Sequence, residues 1–221
     1  MNKLSSPIKL IEKSFGIFFD QKNLIYFLSV YLILVPFHVF TYLQSYLVDS
    51  NGMAKYSWSI WLILVVNLLF FVLYFLTLIM SIEGMGKFVR NVRISFGEAM
   101  SAAWKKLAKI MLIVVLTFLA GAVGTILLII PGIIVGIWLS QATFLGVDRD
   151  LGVKEALIKS KELVKGRFWA VLGRLIVFGL FTLVCEIGLT LIPYGIGGIA
   201  TTLLAGLFML PSFLLFKELS A

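Results

Sequence analysis

The stretch from Ile110 to Val147 carries no charged residue over 38 positions. One helix needs about 20 apolar residues to cross a bilayer, so this run holds enough chain for two crossings. Apolar runs recur along the chain, at roughly 24–43, 59–81, 108–130, 133–147, 168–191 and 196–216. The whole chain is 61% hydrophobic and only 14% charged, with mean hydropathy +1.06. Soluble domains hold about 45–50% apolar and about 25% charged residues, so lipid is the solvent that fits this surface.

The cations decide how the runs are threaded. Of 19 Lys and Arg, 18 fall in the N-terminal segment, the 82–109 connection, the 148–174 stretch and the C-terminus; the other is Lys55. If every run crosses, those 18 share one side. The positive-inside rule then places both termini and both long connections on the cytoplasmic face of a cell (inner or plasma) membrane. A single crossing over Ile110–Val147 would put the two basic connections on opposite faces. A re-entrant loop would keep the charge pattern but needs protein or water around its turn. The expectation is a spanning hairpin that turns at Pro131-Gly132, because proline lacks an N–H and glycine accepts positive φ. Pro193 to Gly195 is the matching turn of the last hairpin. The fourth run, 133–147, is short: 15 residues cover about 22 Å of helix.

A short amphipathic segment precedes each hairpin. Ser6-Pro7, Ser95 with Glu98, and Gly152 with Glu155 are the helix-start signals, the second with capping-box spacing. Aligned cap on cap, Leu10, Ala99 and Ala156 coincide, as do Ser14, Ala103 and Ser160, on one helical stripe. The expected fold is therefore all-α. It is a single polytopic membrane domain, 1–221, of about six spans in three hairpins, each preceded by an amphipathic interfacial helix. The repeat units would be 6–81, 95–147 and 152–217. The last helix is expected to kink at Pro211.

Candidate sites are few. Glu186 lies inside the fifth run, where a carboxylate costs several kcal/mol unless protonated, paired or hydrated. It is either a polar intramembrane site or a residue shallow enough to reach the interface. His38, Asn67 and Gln141 are its candidate partners across helices. Lys105, Lys106, Lys109, Lys159, Lys165, Arg167 and Arg174 are the candidate contacts to anionic headgroups, each drawn by about 1 kcal/mol near a charged leaflet. Trp104 and Trp169 mark the same interface, and Trp58 and Trp61 the opposite one. With one histidine and one cysteine, Cys185, the chain offers no His-rich metal site and no nucleophile–base pair. No enzyme activity, metal or cofactor is expected. Despite a net charge of +8, nucleic acid is not an expected partner, since the cations ring a membrane face.

Residues 131–169 carry a resemblance. The Pro131-Gly132-Ile133 turn, a short span ending in Val147-Asp148, then Glu155-Ala156-Leu157, Ser160 and Lys165-Gly166 to Trp169 resemble the "glycerophosphoryl diester phosphodiesterase membrane domain" group. The related YciC-like six-helix membrane proteins share them. The likeness covers about 95–175. It implies a polytopic fold of repeated hairpins and little about activity. The phosphodiesterase chemistry belongs to a separate soluble domain whose metal ligands have no counterpart here. The expected function is a non-enzymatic, lipid-contacting or partner-binding membrane module, with a membrane-protein partner or a second copy as alternatives. A small transporter with Glu186 in a polar cavity is the competing reading.

Overall fold

The computed structural model describes residues 4–48, 56–192 and 196–221. The chain is an all-helical, multi-pass membrane protein. Six helical stretches are long and apolar enough to cross a bilayer: Gln21–Thr41, Trp58–Phe88, Phe96–Ile126, Ile129–Asp148, Phe168–Thr190 and Ile196–Leu219. Three of these spans are single helices: α4 (Ser57–Phe88), α5 (Phe96–Leu127) and α9 (Phe168–Thr190). The other three are interrupted. The first is α2 (Gln21–Leu32) and α3 (Val35–Leu47), the fourth α6 (Ile129–Leu139) and α7 (Ala142–Asp148), and the sixth α10 (Ile196–Leu203) and α11 (Ala205–Leu219). Two shorter helices, α1 (Pro7–Phe18) and α8 (Val153–Val164), lie before the first and fifth spans.

Local chemistry explains several boundaries. The Ser6 hydroxyl accepts from the Lys9 N–H, and Pro7 opens α1 where its missing N–H is not needed. Asp20 caps α2 through the Lys22 N–H. Ser95 and Glu98 form a complete capping box at the start of α5. Pro36 cannot donate to the carbonyl a turn earlier, and the first span breaks at Ile33-Leu34 and restarts with Pro36 in its first turn. Asn91 (φ 57) and Gly166 (φ 86) supply left-handed residues that stop α4 and α8.

Three expectations need correction. The hairpin inside Ile110–Val147 does not turn at Pro131-Gly132. Its apex is Leu128, the one extended residue between α5 and α6 (φ −163, ψ 139). Pro131 and Gly132 sit in the first turn of α6, where proline is tolerated and glycine serves close packing. A Cβ on Gly132 would come within 2.6 Å of the Thr125 nitrogen, and one on Gly124 within 2.8 Å of Gly132 Cα. Second, the fourth span begins at Ile129 and has 20 residues, so it is not short. Third, no separate interfacial helix precedes the second hairpin, because α5 runs unbroken for 32 residues from Phe96. Pro211 lies inside α11, and the sixth span is interrupted at Leu204, ahead of it. Pro193 and Gly195 fall outside the described residues, as does most of the 44–58 connection.

The hairpins converge at the end that carries the cations. Ser5 N–H donates to Glu218 Oε2 at 2.9 Å, so the N- and C-terminal segments meet there. Burial is concentrated at this end. Within α4, Leu76, Ile79, Met80 and Met85 are at most 1% exposed, whereas Trp61, Val65 and Leu68 near the other end are 63–71% exposed. Phe18, Phe27, Ile110, Leu145, Phe213 and Phe216 complete this core. The bundle is packed shut at its basic end and splayed toward the other. The aligned positions Leu10, Ala99 and Ala156 are all buried, as are Ser14, Ala103 and Ser160.

Candidate functional site

Two features stand out: a lateral cleft in the splayed half, and the charged rim at the closed end. The cleft has two compartments. One, about 510 Å³, lies between α3, α4 and the sixth span and is lined by His38, Asn67, Phe37, Phe70, Tyr74 and Thr202 among others. The second, about 290 Å³, is lined by Glu186 and Thr182 of α9 together with Thr77, Thr201 and Phe208. Tyr31, Tyr74 and Ala205 belong to both walls, so the compartments adjoin. The breaks at Leu34 and Leu204 flank this space.

His38 fixes one wall. Its ring packs on Gly198, where a Cβ would stand 3.1 Å from Nδ1 and Cε1. Nε2 lies 2.7 Å from Thr202 Oγ1. The Thr202 hydroxyl donates to the Gly198 carbonyl at 3.0 Å, so Nε2–H is the donor of the pair. Asn67, also on this wall, donates Nδ2–H to its own helix at Ile63 O (2.7 Å). Among the described residues no cation pairs with Glu186; the five ion pairs all lie at the basic end.

Of the residues singled out from the sequence, His38 and Asn67 line the larger compartment and Glu186, exposed near the far end of α9, lines the smaller one; no hydrogen bond joins Glu186 to either of them among the described residues. Gln141 does not join them. It is fully buried at the break of the fourth span, where its N–H donates to Ser160 Oγ (3.2 Å) and Ser160 donates to Trp138 O (2.7 Å). One serine on α8 therefore satisfies both sides of the α6–α7 interruption.

At the closed end, Asp148 is the hub. Its side chain is 4% exposed and takes Arg90 at 3.0 Å and Lys217 at 2.6 Å, joining α7 to the α4 terminus and to α11. Gly86 leaves it room, since a Cβ there would come within 2.5 Å of the carboxylate. Lys106 bonds Glu83 Oε1 (2.5 Å) and the Val147 carbonyl (2.8 Å). Lys109 pairs with Asp150. That ammonium contact holds the Asp150 carboxyl below the usual carboxylate range. Lys106 and Lys109 are therefore engaged within the protein.

Arg174 is engaged too: its guanidinium donates to the Ser5 carbonyl at 2.7 and 2.9 Å, to Leu4 O and to Ala170 O. It clasps the N-terminal segment. Lys105, Lys159, Lys165 and Arg167 have no ion pair among the described residues. Trp104 and Trp169 beside them are 57% and 80% exposed. No group of three His, Cys, Asp or Glu able to hold a metal occurs among the described residues.

Asp148 and Glu83 are structural anchors that sequence reasoning missed; the signal available was a carboxylate at the end of an apolar run amid cations. No family model, curated protein or solved structure matches the chain.

Proposed function

We propose that this chain is a non-enzymatic protein of the cell membrane that works as a lipid-contacting module, its basic end and both termini on the cytoplasmic face. The positive-inside bias supports that orientation, and the likeness of residues 95–175 to the repeated-hairpin membrane domains belongs to the same reading. The observation that carries it is the division of labour among the cations. Lys106, Lys109, Arg174 and Lys217 are consumed by internal bonds. Lys105, Lys159, Lys165 and Arg167 stay outside the ion pairs, and Trp104 and Trp169, close to Lys105 and Arg167 in the chain, are exposed. Cations beside exposed amphipathic rings suit an anionic headgroup layer.

The test is lipid titration of the purified protein by native mass spectrometry, phosphatidylglycerol against phosphatidylcholine. The triple change Lys159→Gln, Lys165→Gln, Arg167→Gln removes about 1 kcal/mol per cation. It should cut the preference for the anionic lipid at least about tenfold. An unchanged preference refutes the reading.

The cleft supports a second reading, a small carrier using Glu186. Its test is uptake into proteoliposomes under a proton gradient, which Glu186→Gln should abolish.

A further inference from the structure

We propose that the larger compartment of the lateral cleft binds an uncharged aromatic alcohol from the bilayer, of the phenol or hydroquinone class. Its ring would rest against Phe37, Phe70 and Tyr74, and its hydroxyl would bond His38 and Asn67. The inference goes beyond lipid contact at the basic end and needs neither Glu186 nor the carrier reading.

Charge fixes the first property of the ligand. The compartment, about 510 Å³, falls in the range that encloses small organic molecules. No Lys, Arg, Asp or Glu lines it among the described residues. An ion there would leave water without a counter-charge, at heavy cost. The fitting occupant is neutral.

The polar groups fix the second property. Nε2–H of His38 is spent on Thr202, so Nδ1 is the acceptor of that ring. Asn67 spends one amide N–H on Ile63 O. Its second N–H and its carbonyl oxygen have no partner among the described residues, and neither has His38 Nδ1. The side-chain atoms buried without a partner are Ser81 Oγ, Thr117 Oγ1 and Gln141 Oε1 among the described residues. The unspent capacity of His38 and Asn67 is therefore not sealed inside the protein. The break in the first span adds another acceptor. Ile33 O receives no backbone N–H among the described residues, and the next residue, Leu34, lines the compartment. Irregular backbone at membrane depth is tolerated where it is buried in protein or borders a polar cavity. Acceptors are in excess at these groups, so the ligand must bring an O–H. A hydroxyl can donate to one of them and accept the Asn67 N–H at once. An acyl chain answers none.

The walls fix the third property. Phe37 of α3 and Phe70 of α4 pack with ring centroids 4.9 Å apart, and Phe71 and Tyr74 continue the same lining. Such rings gain more from a flat aromatic partner than from a flexible chain. Entry is lateral, since Phe71 is 46% and Tyr74 55% exposed. A ligand dissolved in the bilayer reaches the compartment without crossing the packed basic end.

The test is calorimetric titration of the full chain in phosphatidylcholine nanodiscs against empty nanodiscs, which removes partitioning into lipid. The probes are 2-naphthol and 2-methylnaphthalene, one flat frame with a hydroxyl or a methyl group, and 1-decanol, a hydroxyl without a ring. 2-Naphthol should bind saturably at one site per chain, and the other two at least about fivefold more weakly, the loss expected when a buried hydrogen bond or the ring contact is missing. Asn67→Leu should weaken 2-naphthol about fivefold and leave 2-methylnaphthalene unchanged, whereas collapse of the cleft would move both. Trp61→Ala, on the exposed surface away from the cleft, should change nothing. Equal binding of 2-naphthol and either comparator overturns the proposal, as does an Asn67→Leu variant that binds 2-naphthol like the parent. The probe comparison needs no variant, so it stands even if Asn67→Leu does not fold. Absence of the site with the phosphatidylglycerol preference intact would sink this inference alone.

Discussion

Asp148 is a buried carboxylate whose two cations differ in exposure. Arg90 is 55% exposed and Lys217 23%. Breaking a buried pair leaves an uncompensated charge and costs on the order of 3 kcal/mol, whereas an exposed pair is worth less than about 1 kcal/mol. Asp148→Ala should therefore lower the thermal unfolding temperature markedly in detergent, and Arg90→Ala should barely move it. Asp150 tests the same end by pH. Its hydrogen bond from Lys109 depresses the carboxyl in the folded state, so the contribution is present above the ordinary carboxylate pKa and fades as pH falls through the depressed value. A carbon-13 titration of Asp150 should give a midpoint below that of an aspartate in an unstructured peptide.

The sequence made Glu186, His38 and Asn67 visible, because polar groups in apolar runs are conspicuous. It could not separate the cations that bond internally from those left outside. Lys106 finds Glu83 across 23 residues and Arg174 finds Ser5 across 169, and the same lysine or arginine on a free surface reads identically.

The helices follow their punctuation only in part. Breaks coincide with a stop at Asp20 before α2, Pro36 inside the first span and Gly166 before α9, whereas those at Leu128, Gln141 and Leu204 carry none and Pro211 lies within α11. Between Phe96 and Leu127 no proline or left-handed residue intervenes, so amphipathic start and apolar span fuse into one α5. The Pro131-Gly132 pair sits just past the break at Leu128. Proline favours the first turn of a helix, so it points just beyond an apex rather than at it. Gly132 acts as the point of contact with α5. Gly132→Ala should push the α5–α6 hairpin apart and destabilise the protein, while Gly136→Ala, with nothing within 4 Å of the added carbon, should be neutral or slightly stabilising. Unfolding midpoints of the two variants in one detergent decide the matter.

For the whole molecule, hydrophobic runs and cation placement were enough to read six crossings. The uneven packing was not legible, because the exposed side chains of α4, such as Trp61 and Leu68, are as apolar as the buried Leu76 and Ile79. Which apolar face meets lipid and which meets protein depends on neighbours far along the chain. Threading is tested by single cysteines in a Cys185→Ser background. Ser220→Cys should react with a membrane-impermeant maleimide only after the cells are opened, and Leu128→Cys in intact cells. The reverse pattern would invert the proposed orientation, and reactivity of both from one side would break the hairpin scheme.

The clasp of α1 on α11 has a consequence for biogenesis. Ser5 waits for Glu218, 213 positions downstream, so α1 leaves the ribosome long before its seat does. Until α11 is made, the face formed by Leu10, Ser14 and Phe18 lacks that seat. A nascent polypeptide stalled before α11 would keep that surface available to insertion factors or proteases.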